Sequence, residues 1–363
     1  MSINILYIID KFGYGGTELQ LAALINGLDK NQFKVHLCTF KPSSKLFDDL
    51  KCEKYQLSIP RLWYPNAFSQ YRILLKLIRG WNIHIIHTFF QDPFAVGTLM
   101  KKFYPTVLVG SFRDMGFWRT RMENFKMRIS YTAFDAFIAN SKAVKQHFEM
   151  TDRLKPERIR VIYNGYNGLP RSSTSAPRRD GSFTVGIVAN FNRPVKRFED
   201  FLKIAQILWS RDPSTRFIVV GSVGGRYNEL VNQAQNKMGP ALNFVGSVSN
   251  PVDYIREFDI GVITSESEGF CNAIIEYMAC GLPVVVTDTG GNKEIVDQGI
   301  NGFLVPVADP KAMAEKIGVL QADSELRIRM GRANMHKVET RYSMARMIGE
   351  HEKFYTELIT GNF

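Results

Sequence analysis

The chain has no long apolar run. Of its 363 residues 45% are hydrophobic, yet no stretch approaches the roughly 20 apolar residues that span a bilayer. The apolar start, Ile3 to Ile9, is too short for a secretory signal because Asp10 and Lys11 follow it directly. The sequence therefore predicts a cytoplasmic globular protein, long enough for two domains that each have their own core.

Cysteine and histidine are scarce, and neither forms a metal-ligand pattern. The four cysteines lie at Cys38, Cys52, Cys271 and Cys280, without a Cys-x-x-Cys pair, and the six histidines are scattered. This predicts free thiols in a reducing compartment rather than disulfides or a structural metal.

Acidic residues are in the minority. The chain has 35 Asp and Glu against 46 Lys and Arg, a net charge of +11, with an isoelectric point near 9.4. Such a balance suits a polyanionic partner, either nucleic acid or an acidic membrane surface. No helix-turn-helix, zinc-finger or RNA-recognition pattern is present. We therefore predict no nucleic-acid partner and retain an anionic membrane surface as a candidate.

Apolar strand patterns alternate with helical ones along the chain. In the first half they lie at 3–10, 34–40, 83–88, 106–112, 136–140 and 160–163. This alternation predicts a parallel, doubly wound sheet whose ligands bind at the carboxyl ends of the strands. After the first strand come Gly15 and Gly16, then Thr17 and Gln20 at capping-box spacing before an amphipathic helix. The glycines allow a phosphate or sugar to approach the backbone, although a plain tight turn is the alternative.

The second half opens with a strand pattern at 183–191, after a segment rich in Pro, Ser, Arg and Gly at 169–182. That composition is typical of a linker and predicts the domain boundary. We therefore predict domains at 1–168 and 183–340. Arg193 and Lys196 lie in the turn after the strand, where a lysine could neutralise a diphosphate; a solvated basic turn is the alternative.

Two carboxylates, Glu268 and Glu276, mark the most informative stretch. A strand pattern at 260–264 leads into a polar turn, and a helix begins at or near Asn272 and ends at Gly281. The backbone amides of residues 270–272 would then form the helix N-terminus, which favours an anion such as a diphosphate. Glu268 precedes that anion site, and Glu276 could accept hydrogen bonds from ribose hydroxyls. The alternative is that both are solvent-exposed charges.

The full string at 268–285, EGFCNAIIEYMACGLPVV, followed by GGNKE at 290–294, resembles the signature of the retaining, nucleotide-sugar-dependent family 4 glycosyltransferases of the GT-B fold. Its pattern is E-G-F-x(5)-E-x-M-A-x-G-x-P-V-V with a G-G-x-x-E loop after it. The resemblance implies an α/β protein with two Rossmann-like, doubly wound domains facing a cleft. It also implies that a C-terminal helix within 341–363 packs back on the first domain.

The resemblance further implies roles for individual residues. Glu268, Lys196 and Arg113 would be catalytic, and the donor would be bound by Gly15, Gly16, Arg193, Phe270, Cys271, Asn272 and Glu276. Lys196, Arg193 and the helix amides would stabilise the leaving diphosphate. No metal and no further cofactor are expected, since no Asp-x-Asp motif is apparent. Arg113 occupies a loop where the family commonly has histidine; alternatively it pairs with Asp114 or another carboxylate.

The acceptor is predicted from the first half. A helical pattern at 117–136 places Trp118, Met122, Phe125, Ile129 and Ala133 on one side, with Arg119, Arg121, Lys126 and Arg128 flanking it. This suits a helix on an anionic bilayer, unless the stripe faces the core. A second aromatic cluster comprises Leu62, Trp63, Tyr64, Pro65 and Phe68. Together they favour a lipid-linked saccharide acceptor in cell-surface polysaccharide assembly, and an enzyme bound peripherally to the inner face of the membrane.

Three other functions are compatible with parts of this pattern. A nucleotide-sugar epimerase can share the fold, but it acts on the donor alone, so the aromatic and basic surface of the first half would have no function. A non-catalytic membrane- or nucleic-acid-binding module would make Glu268 and Lys196 dispensable. A glycosidase also uses two carboxylates, but the adjacent diphosphate-type site argues against hydrolysis of a simple glycoside.

Overall fold

The computed structural model describes residues 2–62, 64, 66–117, 119–166, 168 and 182–363. The chain divides into two units, which we call the first unit (Met1–Gly165 with Met344–Phe363) and the second unit (Tyr166–Ser343). The second unit thus starts before the predicted boundary at 168 and ends after the predicted 340. Its two ends are joined, because Tyr166 pairs with Ser343 in a parallel bridge. Apart from Ser182, the predicted linker lies outside the described residues.

Among the described residues, the first unit contains one seven-stranded parallel sheet, in the order β3-β2-β1-β4-β5-β6-β7. Labels run in chain order, and the strands are β1 (Ile3–Ile9), β2 (Phe33–Thr39), β3 (Glu53–Gln56), β4 (Ile85–Phe89), β5 (Val107–Phe112), β6 (Ala136–Ala139) and β7 (Ile159–Val161). The helices are α1 (Gly16–Gly27), α2 (Lys45–Asp48), α3 (Ala67–Gly80), α4 (Gln91–Lys101), α5 (Arg121–Tyr131), α6 (Lys142–Asp152) and α14 (Met344–Thr360).

Two apolar cores lie on the two faces of this sheet. Helices α1, α2 and α14 bury their apolar sides in one core, and α3, α4, α5 and α6 bury theirs in the other. The helices connect parallel strands, so each crosses the sheet in the direction opposite to the strands. Every connecting helix therefore begins at the edge where the strands end.

The structure of the first unit differs from the sequence prediction at two places. Strand β3 was not predicted, because its sequence Glu-Lys-Tyr-Gln is mostly exposed at the sheet edge and lacks apolar alternation. The capping box at Thr17 and Gln20 is wrong: Gly15 is the N-cap of α1 and makes no side-chain cap bond. Instead, the Gln20 amide bonds the backbone of Gly165 through both its nitrogen and its oxygen.

The second unit has a six-stranded parallel sheet within the described residues, in the order β10-β9-β8-β11-β12-β13. Its strands are β8 (Thr184–Val188), β9 (Arg216–Val220), β10 (Leu242–Gly246), β11 (Ile260–Ile263), β12 (Val284–Thr287) and β13 (Gly302–Val305). Its helices are α7 (Phe198–Arg211), α8 (Asn228–Met238), α9 (Val252–Ile255), α10 (Asn272–Ala279), α11 (Asn292–Ile295), α12 (Pro310–Ala322) and α13 (Ser324–Arg341).

Both sheets reverse their strand order at one point. In the first unit the reversal lies between β1 and β4, and in the second between β8 and β11. In open α/β sheets, the carboxyl ends of the strands at such a reversal form a crevice that binds ligands. The prediction of two Rossmann-like α/β domains is confirmed. Within the described segments, no helix combines the length and apolar character needed to cross a membrane.

Candidate functional site

The central contact of the second unit joins Lys196 to Glu268. Lys196 lies in the turn after β8, and Glu268 lies in the loop after β11, so the two residues flank the strand reversal. The Lys196 Nζ is 2.6 Å from the Glu268 Oε1, and the side chains are only 18% and 10% exposed. The structure thus brings together two residues that the sequence predicted for one site, and it shields them from solvent.

Backbone contacts hold the Lys196 turn against the Glu268 loop. The Thr264 hydroxyl donates to the Lys196 carbonyl at 2.8 Å, and the Glu266 amide donates to the Val195 carbonyl at 2.8 Å. These bonds fix the two segments on either side of the ion pair. The ammonium and carboxylate are therefore positioned by the scaffold rather than by their mutual attraction alone.

A third loop, which follows β12, packs against the backbone of Glu268. Gly290 has a φ of +47°, and a Cβ at this position would lie 1.8 Å from the Glu268 carbonyl oxygen. The Gly291 amide donates to that same oxygen at 3.3 Å. This close approach explains why the G-G-x-x-E loop needs glycine at its first position. The site is therefore built from the carboxyl ends of three neighbouring strands.

Helix α10 provides a positive backbone end next to this pair. It begins at Asn272, as predicted, with Cys271 as an N-cap that makes no side-chain cap bond. The Phe270 and Cys271 side chains are buried. Burial raises the pKa of the Cys271 thiol, so the sulfur stays protonated in spite of its place at a helix N-terminus. The helix end can therefore favour an anion through its dipole, without a competing thiolate.

The electrostatics keep Lys196 charged. Burial lowers the pKa of its ammonium, but the Glu268 carboxylate more than offsets this, and the net shift is upward. An ammonium carries three donors. Lys196 can hence keep its bond to Glu268 and still donate to a bound anion.

Glu276 lies in the second turn of α10 and is only partly exposed. Among the described residues, no side chain or backbone amide donates a hydrogen bond to its carboxylate. Burial raises its pKa to about 7. The Glu276 carboxylate thus lacks the hydrogen-bond donors that usually offset the cost of desolvation. A ligand with hydroxyl groups would supply such donors.

The first unit has its own polar group at its strand reversal, and sequence reasoning missed it. Asp10 directly follows β1, and its Oδ1 is buried without a hydrogen-bond partner in the described chain. Burial raises the pKa of Asp10 to about 7, and the charge of Asp92 adds to this effect. Phe90, at the end of β4, adopts a φ of 69°, a strained conformation for a bulky residue. The position of Asp10 at a strand end was the available signal.

The glycine-rich turn starts at the same sheet edge. Gly15 and Gly16 open α1, and a Cβ at Gly15 would lie 2.4 Å from a Glu18 carboxylate oxygen. The lack of a side chain at Gly15 thus lets the Glu18 side chain fold back over the turn. Their predicted role in donor binding stays a prediction.

Comparison with known proteins identifies the family. Residues 14–167 match the model described as Glycosyltransferase Family 4, and residues 182–323 match the model described as Glycosyl transferases group 1. The two models together cover most of the chain, including the site around Lys196 and Glu268. The protein is a family 4 glycosyltransferase. The resemblance stated from the sequence is confirmed.

Individual relatives are distant. An uncharacterized glycosyltransferase of Methanocaldococcus jannaschii is 27% identical over 95% of this chain and 95% of that protein. The capsular polysaccharide biosynthesis glycosyltransferase CapM of Staphylococcus aureus is 28% identical over 61% of each chain. The crystal structure of HepE of Anabaena in complex with UDP has a TM-score of 0.83, with 20% identity, over 98% of this chain and 100% of that one. This structural match supports the GT-B fold.

The predicted catalytic residue Arg113 lies in the first unit of this family 4 glycosyltransferase. Arg113 follows β5, and its Nη2 donates to the Asn164 Oδ1 at 2.7 Å. Burial lowers the pKa of Arg113 to about 10, although the Glu18 charge acts in the opposite direction. Within the described residues no carboxylate forms an ion pair with Arg113, and Asp114 instead accepts from the Gly116 amide. The alternative pairing of Arg113 with Asp114 is therefore wrong, and its catalytic role stays a prediction.

Two other polar side chains of this glycosyltransferase, one in each unit, differ in their surroundings. His87 is fully buried, and its two ring nitrogens bond the Tyr355 and Ser111 hydroxyls at 2.8 Å each. It serves the interior of the first unit rather than a ligand. Arg193 is exposed, and its carbonyl accepts from the Lys196 amide at 3.1 Å. No partner of its guanidinium occurs among the described residues, and its role in donor binding stays a prediction.

Proposed function

We propose that this glycosyltransferase transfers a sugar from a nucleoside-diphosphate sugar to a lipid-linked saccharide, with retention of the anomeric configuration, in cell-surface polysaccharide assembly. The observation that carries the donor assignment is the largely shielded Lys196–Glu268 pair near the α10 N-terminus, with the Glu276 carboxylate, which has no partner among the described residues, one turn further on. The name of CapM supports the polysaccharide role, and the UDP in HepE supports a uridine donor.

The chemistry follows from where charge develops. When the glycosidic bond to the donor diphosphate breaks, negative charge accumulates on the phosphate oxygens and positive charge on the anomeric carbon. Lys196, assisted by Arg193 and the α10 backbone, stabilises the phosphate charge, while Glu268 accepts hydrogen bonds from sugar hydroxyls and balances the positive carbon. Because these groups are already fixed, little reorganisation is needed as the reaction proceeds. This arrangement needs no metal to neutralise the diphosphate.

Glu276 binds the ribose in this proposal. Ribose hydroxyls donate hydrogen bonds to its carboxylate and thereby remove the cost of holding an unpartnered charge in a partly buried place. A nucleotide thus gains affinity at both ends of the site, from the phosphates at Lys196 and the ribose at Glu276.

A nucleotide thermal-shift screen tests the donor site. We expect one of UDP, GDP or ADP, at about 100 times its dissociation constant, to stabilise the protein by about 2.7 kcal/mol. For a unit of this size that raises the melting temperature by roughly 2–4 °C. The shift should disappear in Glu276→Ala and persist in Glu315→Ala, which removes an exposed carboxylate on α12. The absence of any shift at millimolar nucleotide would contradict the donor site.

An epimerase on the same fold remains the second candidate. It would convert the donor without an acceptor, whereas a transferase releases the nucleoside diphosphate only as sugar is transferred or slowly hydrolysed. Following the nucleotide sugar by chromatography with and without a membrane lipid extract separates the two. A changed sugar with an intact nucleotide bond, and no dependence on the extract, would favour the epimerase.

Asp10 provides a test of acceptor binding by the first unit. We expect Asp10→Asn to raise the KM for the acceptor at least about tenfold, because a carboxylate accepts hydrogen bonds from hydroxyls more strongly than an amide does. The nucleotide-induced thermal shift should stay unchanged. Asp48→Asn, at an exposed position of the same unit, is the matched control. A normal acceptor KM in Asp10→Asn would remove this residue from the site.

A further inference from the structure

Helix α5 carries an apolar stripe on its exposed side. Met122, Phe125 and Ile129 are 63%, 62% and 57% exposed, and their spacing places them on one face of the helix. The opposite face is buried, since Met127 and Tyr131 are 5% and 2% exposed and belong to the core. The alternative that this stripe faces the core is therefore wrong for these three residues.

Basic side chains flank the stripe on both sides. Helical geometry places Lys126 on one side and Arg121 and Arg128 on the other, and all three are exposed. Arg128 lies 3.4 Å from the Asp152 carboxylate, whereas neither Arg121 nor Lys126 forms an ion pair within the described chain. Arg119 does not belong to this surface, because its guanidinium pairs with Asp152 in a buried position. Trp118 lies outside the described residues.

A second exposed aromatic group lies at the start of α3. Tyr64 and Phe68 are 49% and 62% exposed. Arg72, Lys76 and Arg79 continue along the exposed side of the same helix. Of the other members of the predicted cluster, Leu62 packs against the core, and Trp63 and Pro65 lie outside the described residues. Helix α3 and the residue Tyr64 before it therefore also combine aromatic groups with positive charge.

The topology places both groups on one side of the first unit. Helices α3 and α5 bury Leu74 and Ile78, and Met127 and Tyr131, in the same core, so they cover the same face of the sheet. Both helices begin at the edge where the strands end. Phe68 and Met122 lie in the first turns of their helices. Phe68 and Met122 therefore lie near the sheet edge at which Asp10 lies, and Phe125 and Ile129 continue the stripe along α5.

We propose that this face, which we call the α3–α5 face, binds the surface of an anionic lipid bilayer. The apolar stripe enters the boundary between headgroups and acyl chains, and the flanking basic side chains contact the lipid phosphates. The charges favour lipid over a second copy of this chain, because a symmetric contact would bring the same basic flanks together. The proposal deepens the proposed function, which it assumes, by placing the enzyme where a lipid-linked acceptor resides.

Vesicle co-sedimentation tests the proposal without donor or acceptor. The full-length protein is mixed with vesicles of phosphatidylcholine alone or of equal parts phosphatidylcholine and phosphatidylglycerol, at low and high salt. We expect binding only to the anionic vesicles, weakened by salt. The double variant Phe125→Glu with Ile129→Glu should bind about 30-fold or more weakly, since it removes apolar area and adds repulsion. The control, Leu230→Glu with Ile328→Glu, makes the same changes at exposed positions of the second unit.

Three results decide the question. Loss of vesicle binding in the α5 variant, with normal binding in the control and an unchanged nucleotide thermal shift, supports the proposal. Equal vesicle binding by the α5 variant and the wild type overturns it. The proposal is also overturned if the wild type does not bind anionic vesicles but forms a dimer, seen by sedimentation velocity, that the α5 variant does not form. The face would then bind a second copy of the chain. Failure of the nucleotide screen alone would affect the donor site and leave the vesicle result standing.

Discussion

Replacing Lys196 by alanine is expected to lower kcat by about 100- to 1000-fold, the range found when one fixed donor to a developing anion is removed. The reason is that the ammonium lies at the strand reversal, 2.6 Å from Glu268, and would stabilise the departing diphosphate. The substitution also leaves the Glu268 carboxylate without its cation in a place that is only 10% exposed. We therefore expect Lys196→Ala to lower the melting temperature as well as the rate.

Two controls separate these effects. Lys203→Ala removes an ammonium whose side chain is 61% exposed on α7, and it should leave both rate and melting temperature nearly unchanged. Lys196→Ala combined with Glu268→Gln should recover much of the lost stability, because no unpaired charge remains, yet should stay inactive. Initial rates with saturating acceptor, and thermal unfolding, measure the two quantities. If the double variant regained activity together with stability, Lys196 would be structural.

The second unit could be predicted closely from its sequence, for a physical reason. Its strands are short apolar runs buried on both faces, such as Val284–Thr287, and helix α10 has clear signals at both ends. Parallel strands place their carboxyl ends at one edge, so Lys196 and Glu268 could be assigned to one site although they are far apart in sequence. What the pattern could not give was their direct contact, which depends on backbone bonds such as Thr264 to Lys196.

The first unit was less predictable because its informative residues depend on tertiary contacts. Asp10 has the sequence context of any residue after a strand, and only its buried, unpartnered oxygen distinguishes it. The direction of the α5 stripe was likewise undetermined, since apolar residues at helical spacing face the core in most proteins. Here Met127 and Tyr131 supply the core-facing side. The choice between two apolar faces of one helix is made by the neighbours on which it packs.

Replacing Glu276 by glutamine is expected to stabilise the protein at pH 8 while weakening nucleotide-sugar binding. Burial raises the pKa of Glu276 to about 7, above the roughly 4.3 of an unfolded chain. Between these values the folded protein binds more protons than the unfolded chain, so the free energy of unfolding falls as the pH rises through this window. At pH 8 the variant should therefore exceed the wild type by about 1–3 kcal/mol, and at pH 4 the two should differ little.

Binding should have the opposite dependence on pH. Hydroxyl donors favour the ionised carboxylate, so a nucleotide sugar that bonds Glu276 lowers its pKa and releases a proton. The affinity of the wild type should hence rise between pH 6 and 8, whereas that of Glu276→Gln should be weaker and flat. Titration calorimetry in buffers of different ionisation enthalpy measures the proton release, with Glu315→Gln as the exposed control on α12. A loss of stability in Glu276→Gln at pH 8 would mean that the carboxylate is compensated within the fold. A gain in stability in Glu276→Gln, together with weaker nucleotide-sugar binding, would mean that the ionised Glu276 destabilises the fold but strengthens ligand binding.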